Sequence, residues 1–179
     1  MKEEPDARLG GFAPASRATR VRFLSAIPSW RETFVGGPAW GLAMTFSAWY
    51  ALWLREHDAT FHLDSILLLY AFGGLIAWPL SLFAGRCIVQ DRTIETRFAA
   101  YLLCLVAGTI GVTALLFALD YRLFYSQWHA ATGSRVWFFQ ALFTSLSAYY
   151  QFLVLGVRLY LPIGAIALLL ASLGLARPQ

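Results

Sequence analysis

Long apolar runs recur along this chain and are separated only by short polar segments. The last run, residues 136–176, is 41 residues long and contains one charged side chain, Arg158, together with Pro162. As a single helix it would extend about 61 Å at ~1.5 Å per residue, whereas the hydrocarbon core of a bilayer is ~30 Å thick. One vertical span therefore cannot accommodate this run, and the chain must fold into several helices.

The composition indicates a bilayer, rather than water, as the solvent of these helices. Hydrophobic residues make up 59% of the 179 residues and charged residues 13%, against usual values of ~45–50% and ~25%. A soluble domain of this size cannot bury so much apolar surface, which argues against soluble enzymes, disordered chains and secreted disulfide scaffolds. The sequence predicts an all-α integral membrane helical bundle in contact with the lipid bilayer.

The basic residues predict an orientation rather than a nucleic-acid partner. The net charge of +4 is distributed between the apolar runs, mainly in the N-terminal segment and in the loop 85–97. Because cytoplasmic loops carry an excess of lysine and arginine, this asymmetry predicts a multi-pass protein with a cytoplasmic N-terminus. We expect the membrane to be a bacterial inner membrane, and we expect no nucleic-acid partner.

Residues 1–35 differ in composition from the rest of the chain. They combine basic and acidic side chains with three prolines and the Gly10–Gly11 pair, and they contain no long apolar run of the kind found in a signal peptide. We predict a flexible, basic, cytoplasmic tail over residues 1–35, followed by a helical bundle over 36–179. A second interpretation is that residues 18–27 form a basic helix on the anionic membrane surface.

Two arrangements of spans fit the apolar runs. The first has five spans, at about residues 37–54, 65–84, 98–119, 136–157 and 161–176. In this arrangement Arg158 lies in a tight turn at the interface, and Pro162 lies in the first helical turn, where proline is tolerated. The alternative has four spans, with 136–148 in the interface, and it buries Arg158 at a cost of at least ~2.5–3.5 kcal/mol.

Small residues in the predicted spans permit close helix approach. The first span contains a G-x-x-x-G motif, and the last contains a stripe of small residues that suits either the bundle itself or a partner protein. The predicted helix-packing residues are Gly37, Gly41, Gly73, Gly74, Gly108, Gly111, Gly164, Ala167, Ala171 and Gly174.

A polar stripe in the fourth apolar run is the main candidate for a site. Its members are spaced by four, three and four residues, so they share one helical face. Two threonines in the third span are spaced by four and also share a face. Such residues either form hydrogen bonds between helices or line a polar cavity or transport path. The possible cavity-lining residues are Gln140, Thr144, Ser147, Gln151, Thr109 and Thr113.

The remaining polar residues give weaker indications of a site. His57, His62 and His129 fall in predicted outer loops, where histidines could bind haem or a metal ion, but none lies inside an apolar helix. Cys87 and Cys104 are not closely spaced. We therefore predict neither a metal nor a cofactor. The charged residues at the predicted span ends are explained by capping and snorkelling; they are Asp64, Asp120, Arg122 and Arg158.

No catalytic motif is present in the sequence. We find no G-x-S-x-G, H-E-x-x-H or Walker sequence, and Lys2 is the only lysine. The leading hypothesis is a non-enzymatic accessory or assembly subunit of a larger membrane complex, which associates with a membrane protein partner or with itself. The alternative is a small oligomeric transporter or permease-like protein with a path lined by the 140–151 stripe. The third hypothesis is a haem or metal redox protein that uses the outer histidines.

Overall fold

The computed structural model describes residues 25–55, 62–90 and 92–177, and these ranges are helical almost throughout. No strand occurs in the described ranges, which confirms the all-α prediction. The five helices are α1 (Gly37–Trp53), α2 (Leu63–Ile88), α3 (Ile94–Tyr125), α4 (Arg135–Gln151) and α5 (Ile163–Ala176).

Irregular helical turns extend two of these helices. A π-helical turn, Glu32–Gly36, leads into α1. A second π turn, Phe152–Gly156, and a 3₁₀ turn, Val157–Tyr160, continue α4. Such turns redirect the backbone and leave carbonyl groups available to side chains of neighbouring helices.

Three helices are long and apolar enough to cross a membrane, namely α2, α3 and α4 with its extension, whereas α5 is a shorter apolar helix. The 32 residues of α3 would extend about 48 Å at ~1.5 Å per residue. This helix overruns its predicted span, 98–119, at both ends. The number of bilayer crossings stays a prediction.

The helices pack around α2 and α3. Helix α2 packs against α1 on one side and α3 on the other, while α3 also packs against α4 and α5. Helix α5 rests on α3 and α1, and its contact with the preceding chain is chiefly to the turn Val157–Tyr160. Helices α4 and α5 therefore follow one another instead of pairing side by side as an antiparallel hairpin.

This arrangement differs from the five-span prediction at its last connection. The prediction placed Arg158 in the turn between two spans. In the structure Arg158 lies within the 3₁₀ turn that ends α4, and the interruption falls at Leu161 and Pro162. The backbone continues in helical turns past Arg158 to Tyr160, which is 5% exposed and anchors the end of this segment in the core.

Glycines allow the backbones of α1 and α2 to touch. A Cβ atom built on Gly41 would lie 2.7 Å from the carbonyl oxygen of Ala71, and one built on Gly74 would lie 2.9 Å from Cα of Gly41. Both distances are shorter than any ordinary carbon contact. Only glycine therefore permits this close approach between α1 and α2.

The other predicted packing residues divide into buried and open positions. Gly37 also meets α2, Gly73 and Gly108 close the α2–α3 contact, and Gly164 lies against Ser47 and Tyr160. Ala167 and Ala171 pack against the core cluster. Gly111 and Gly174 differ, because a Cβ on either would meet nothing within 4 Å. Three of the four residues in the α5 stripe thus face the bundle itself.

The segment before α1 contacts α2. Ala26 is 1% exposed, the indole N–H of Trp78 donates to the carbonyl oxygen of Glu32 at 3.1 Å, and Arg86 pairs with the Glu32 carboxylate. The predicted tail extended to residue 35. Its residues 1–24 lie outside the described ones, whereas 25–35 pack on the bundle.

The Glu32 carboxylate is stabilised in its charged form. It accepts a hydrogen bond from the backbone N–H of Ser29 at 2.7 Å and another from Arg86. Partial burial acts to raise the pKa of Glu32, but the hydrogen bonds from Ser29 and Arg86 outweigh it and lower the pKa below its ordinary value.

Candidate functional site

A chain of hydrogen bonds joins three elements in the middle of the bundle. The indole N–H of Trp40 donates to Oγ1 of Thr109 at 3.1 Å. Thr113 donates from Oγ1 to the carbonyl oxygen of Thr109 at 2.7 Å, and the hydroxyl of Tyr160 donates to Thr113 Oγ1 at 2.8 Å. Both threonines are almost completely buried. Their hydroxyls are thus committed to holding the bundle together.

A second set of bonds fixes the α4–α5 interruption to α1. The hydroxyl of Ser47 donates to the carbonyl oxygen of Leu159 at 3.0 Å and accepts from the N–H of Gly164 at 2.9 Å. The first N–H groups of a helix have no partner within it. Ser47 therefore supplies from α1 the acceptor that Gly164, in the first turn of α5, lacks.

An amphipathic cavity of about 480 Å³ lies beside this junction. It is open on one side and lies between the end of α1, the start of α2, the C-terminal part of α3 and the irregular end of α4. Its walls are mainly aliphatic and aromatic side chains from all four elements. The lining residues are Leu52, Arg55, Ile66, Leu69, Tyr70, Phe117, Gln151, Phe152, Leu155, Gly156, Arg158 and Leu159.

The polar groups of the cavity are two arginines, one glutamine and one tyrosine. Arg55 and Arg158 are exposed, and Gln151 is half-buried. The hydroxyl of Tyr70 donates to the carbonyl oxygen of Gly156 at 2.5 Å, which holds the π turn against α2. No acidic side chain is among the described lining residues, so the cavity combines an apolar wall with positive charge.

The structure does not bring the predicted cavity-lining residues together. Oε1 of Gln140 accepts a hydrogen bond from the backbone N–H of Ala130 at 2.8 Å. Oγ1 of Thr144 lies 3.3 Å from Nε2 of His129, within hydrogen-bonding distance. Both therefore fasten the loop that precedes α4. Ser147 is exposed, whereas Gln151 lines the amphipathic cavity.

The two threonines of the predicted path lie elsewhere, in the hydrogen-bond chain described above. Thr109 also borders a smaller apolar cavity of about 140 Å³ between α3 and the α4–α5 junction. In the part of the chain that the structure describes, the polar stripe and the threonines thus belong to separate environments.

The remaining predicted residues are dispersed. His57 lies outside the described residues and His62 is exposed. Arg122 lies over the ring of Trp137, with 5.4 Å to its centroid, while Asp64 and Asp120 are exposed and Cys87 and Cys104 are free. Among the described residues, no three His, Cys, Asp or Glu side chains lie close enough to hold a metal ion.

Sequence reasoning missed the residues that matter most to this region. Tyr70, Tyr160 and Ser47 lie within apolar runs, and their hydroxyls need partners when buried. That requirement marks such residues in the sequence but does not identify the partner. Arg55 and Arg158 follow different helices. The five-span arrangement would place them on opposite sides of the membrane, since three spans lie between them, whereas in the structure both line one cavity. No protein-family model, curated protein or solved structure matches this chain.

Proposed function

We propose that this protein is a non-enzymatic integral membrane protein that acts by helix–helix association, as an accessory or assembly subunit of a larger membrane complex. The observation that supports the proposal is the low burial of α4 within the chain, together with its low hydropathy. Only 11% of its most apolar stretch is buried within the chain, against 33% for α2 and 28% for α3. Yet α4 has the lowest mean hydropathy of the three.

This combination favours a protein partner for α4. In a bilayer, polar side chains gain from contacts with other helices, and interhelical hydrogen bonds contribute ~0.6 kcal/mol each. A helix in contact with lipid alone is expected to be the most apolar of a bundle, whereas α4 is the least. Association with another protein would cover it.

The exposed side of α4 also has the spacing of a helix–helix interface. Ten large apolar or aromatic side chains of α4 and its extension are exposed. Five of them recur at intervals of four, three, four and three, which matches the seam along which two helices pack. Each is more than half exposed. This exposed stripe consists of Phe139, Phe143, Leu146, Tyr150 and Leu153.

The small-residue stripe of α5 is a weaker candidate for this role. Gly164 is in contact with Ser47 and Tyr160, and Ala167 and Ala171 pack on the core. These positions are already used within the chain. The partner surface is therefore assigned to α4, and either a different protein or a second copy would satisfy it.

The alternatives have less support from the geometry. A transport path along 140–151 would join side chains that instead fasten a loop, face outward or, for Gln151, line a cavity that the others do not reach. A redox site would draw on His62 and His129, which have no further metal-ligating residues grouped with them in the described ranges. The location we propose is a bacterial inner membrane, with the N-terminus in the cytoplasm.

Site-specific photocrosslinking in native membranes tests the association. A photoreactive residue is placed at Phe143 or Tyr150 on the α4 stripe, and as a control at Leu103 of α3, which is 67% exposed. We expect one discrete protein adduct from both α4 positions and none from Leu103. Two differently tagged copies of the chain then separate self-association from a foreign partner. Equal crosslinking at all three positions, or none at any, would contradict the proposal.

A further inference from the structure

We propose that the cavity between α1, α2, α3 and the end of α4 binds an anionic lipid, with its acyl chain against the apolar wall and its headgroup at the two arginines. This inference rests on the proposed membrane location but not on the proposed association through α4. It assigns a ligand-binding function to a surface distinct from the exposed stripe.

The size and lining of the cavity fit part of an amphiphile. Its volume of about 480 Å³ lies within the range of roughly 300–1,000 Å³ that is usual for small-molecule sites. Leu69, Phe117 and Phe152 are among the apolar residues that line the cavity. A soluble polar metabolite would lose hydration against such a wall, whereas a hydrocarbon chain would not.

The charge at the cavity selects the headgroup. Arg158 is exposed and has no ion-pair partner among the described residues. Arg55 lies in the same lining and also has an interaction of its own, so Arg158 is the principal contact. A guanidinium group matches the geometry of a phosphate or carboxylate and binds it through paired hydrogen bonds. Basic pockets between membrane helices are suited to anionic lipid headgroups.

The neighbouring polar groups suit the linker region of a lipid. Gln151 is half-buried and lines the same cavity as the apolar wall and the two arginines. Its amide offers both a donor and an acceptor to an ester group. The Tyr70–Gly156 bond of 2.5 Å fixes the π turn that carries Leu155 on the wall and leads to Arg158. The site is thus built on a fixed segment of backbone.

The test is native mass spectrometry of the full chain in mild detergent, after separate addition of phosphatidylglycerol and phosphatidylcholine with identical acyl chains. We expect retention of phosphatidylglycerol at least tenfold stronger than that of phosphatidylcholine, a difference of about 1.4 kcal/mol. Millimolar inorganic phosphate should not displace the lipid, because the acyl chain contributes to binding. Equal retention of the two lipids, or displacement by phosphate alone, would overturn the assignment.

Two matched pairs of variants locate the site. Arg158→Gln should weaken phosphatidylglycerol binding about tenfold, whereas Arg135→Gln, at the other end of α4, should leave it unchanged. Leu155→Trp fills the cavity without changing charge and should also weaken binding, whereas Leu103→Trp on α3, exposed and outside both the lining and the α4 stripe, should not. Equal effects within both pairs would overturn the proposed location. The thermal midpoint of each variant without added lipid verifies folding, and the Trp pair keeps the test decisive if Arg158→Gln does not fold.

A failure of this test is distinguishable from a failure of the proposed function. If the chain does not fractionate with membranes, the membrane location itself fails. If it does, and crosslinks through α4 but retains both lipids equally, only the lipid site is rejected.

Discussion

Ser47 in α1 accepts a hydrogen bond from the backbone N–H of Gly164 in α5 at 2.9 Å, across 117 residues of sequence. The same hydroxyl donates to the carbonyl oxygen of Leu159. One side chain thus satisfies a backbone donor and a backbone acceptor on the two sides of the Leu161–Pro162 interruption. The path of the chain from α4 into α5 depends on this contact.

Replacement of Ser47 should destabilise the protein. In Ser47→Ala, the buried N–H of Gly164 and the Leu159 carbonyl lose their partner, which should cost about 1–3 kcal/mol. Thermal unfolding in detergent measures the change. Ser145→Ala is the matched control, because the Ser145 hydroxyl donates only to the Ala141 carbonyl of its own helix. Equal midpoints for the two variants would show that the Ser47 contact is unimportant.

The Tyr160–Thr113 hydrogen bond should couple the effects of substitutions at these two residues on the free energy of unfolding. Tyr160→Phe and Thr113→Val each break the 2.8 Å bond, so their effects should not add. A double-mutant cycle should give a coupling of about 0.5–1.5 kcal/mol. Tyr150→Phe, at an exposed tyrosine, should leave the unfolding free energy unchanged. Strictly additive effects would mean that the bond contributes nothing.

Two glycine substitutions should have opposite effects. Gly41→Ala would bring Cβ to 2.7 Å from the Ala71 carbonyl oxygen, and backbone cannot easily yield, so α1 and α2 must separate. Gly111→Ala meets nothing within 4 Å and replaces glycine inside a helix, which should stabilise by roughly 0.5–1 kcal/mol. Unfolding midpoints should therefore fall for the first and rise slightly for the second. A neutral Gly41→Ala would contradict the close α1–α2 contact.

The Glu32–Arg86 pair should make stability depend on pH. Since the pKa of Glu32 is lowered on folding, its contribution is present above the unfolded value of ~4.3 and is lost as pH falls through the folded pKa. At pH 7 Glu32→Gln should lower stability by at most about 1 kcal/mol, because the pair is partly exposed.

The measurement for this pair compares wild type and Glu32→Gln from pH 7 to pH 3 in detergent. The difference between their unfolding midpoints should vanish at the acid end. Arg86→Gln should weaken the pH dependence in the same way, since it removes the partner. A difference that is constant across the whole range would mean that the carboxylate charge is not involved.

The helices themselves could be predicted closely, because apolar runs and the intervening polar segments are local properties. The predicted start of the first span at residue 37 coincides with the start of α1 at Gly37. Helix α3 is longer than the predicted span 98–119 at both ends, because its terminal turns contain polar and aromatic residues that hydropathy does not favour. Arg158 is predicted to lie in a tight turn, and the structure places it within the 3₁₀ turn Val157–Tyr160, where contacts of Tyr160 and Ser47 hold the segment in place.

The small residues and the polar stripe show that the sequence pattern of one helix does not predict which neighbour each residue contacts. Gly41 and Gly111 are both predicted packing residues inside apolar helices, yet one touches a neighbouring backbone and the other faces open space. Gln140 and Gln151 share a predicted helical face, yet one fastens a loop and the other lines a cavity. Which residues share a helical face follows from the sequence of that one helix. Which element the face contacts depends on how all the helices pack together.

The sequence by itself determined the helical class, the position of the apolar segments and the requirement that their hydroxyl and indole groups find partners, because these follow from hydropathy and hydrogen-bonding capacity along the chain. Only the tertiary structure decided that Trp40, Thr113 and Tyr160 satisfy one another, and that Arg55 and Arg158 meet at one cavity. Those relationships join residues far apart in sequence, and their geometry depends on helix crossings that no single segment specifies.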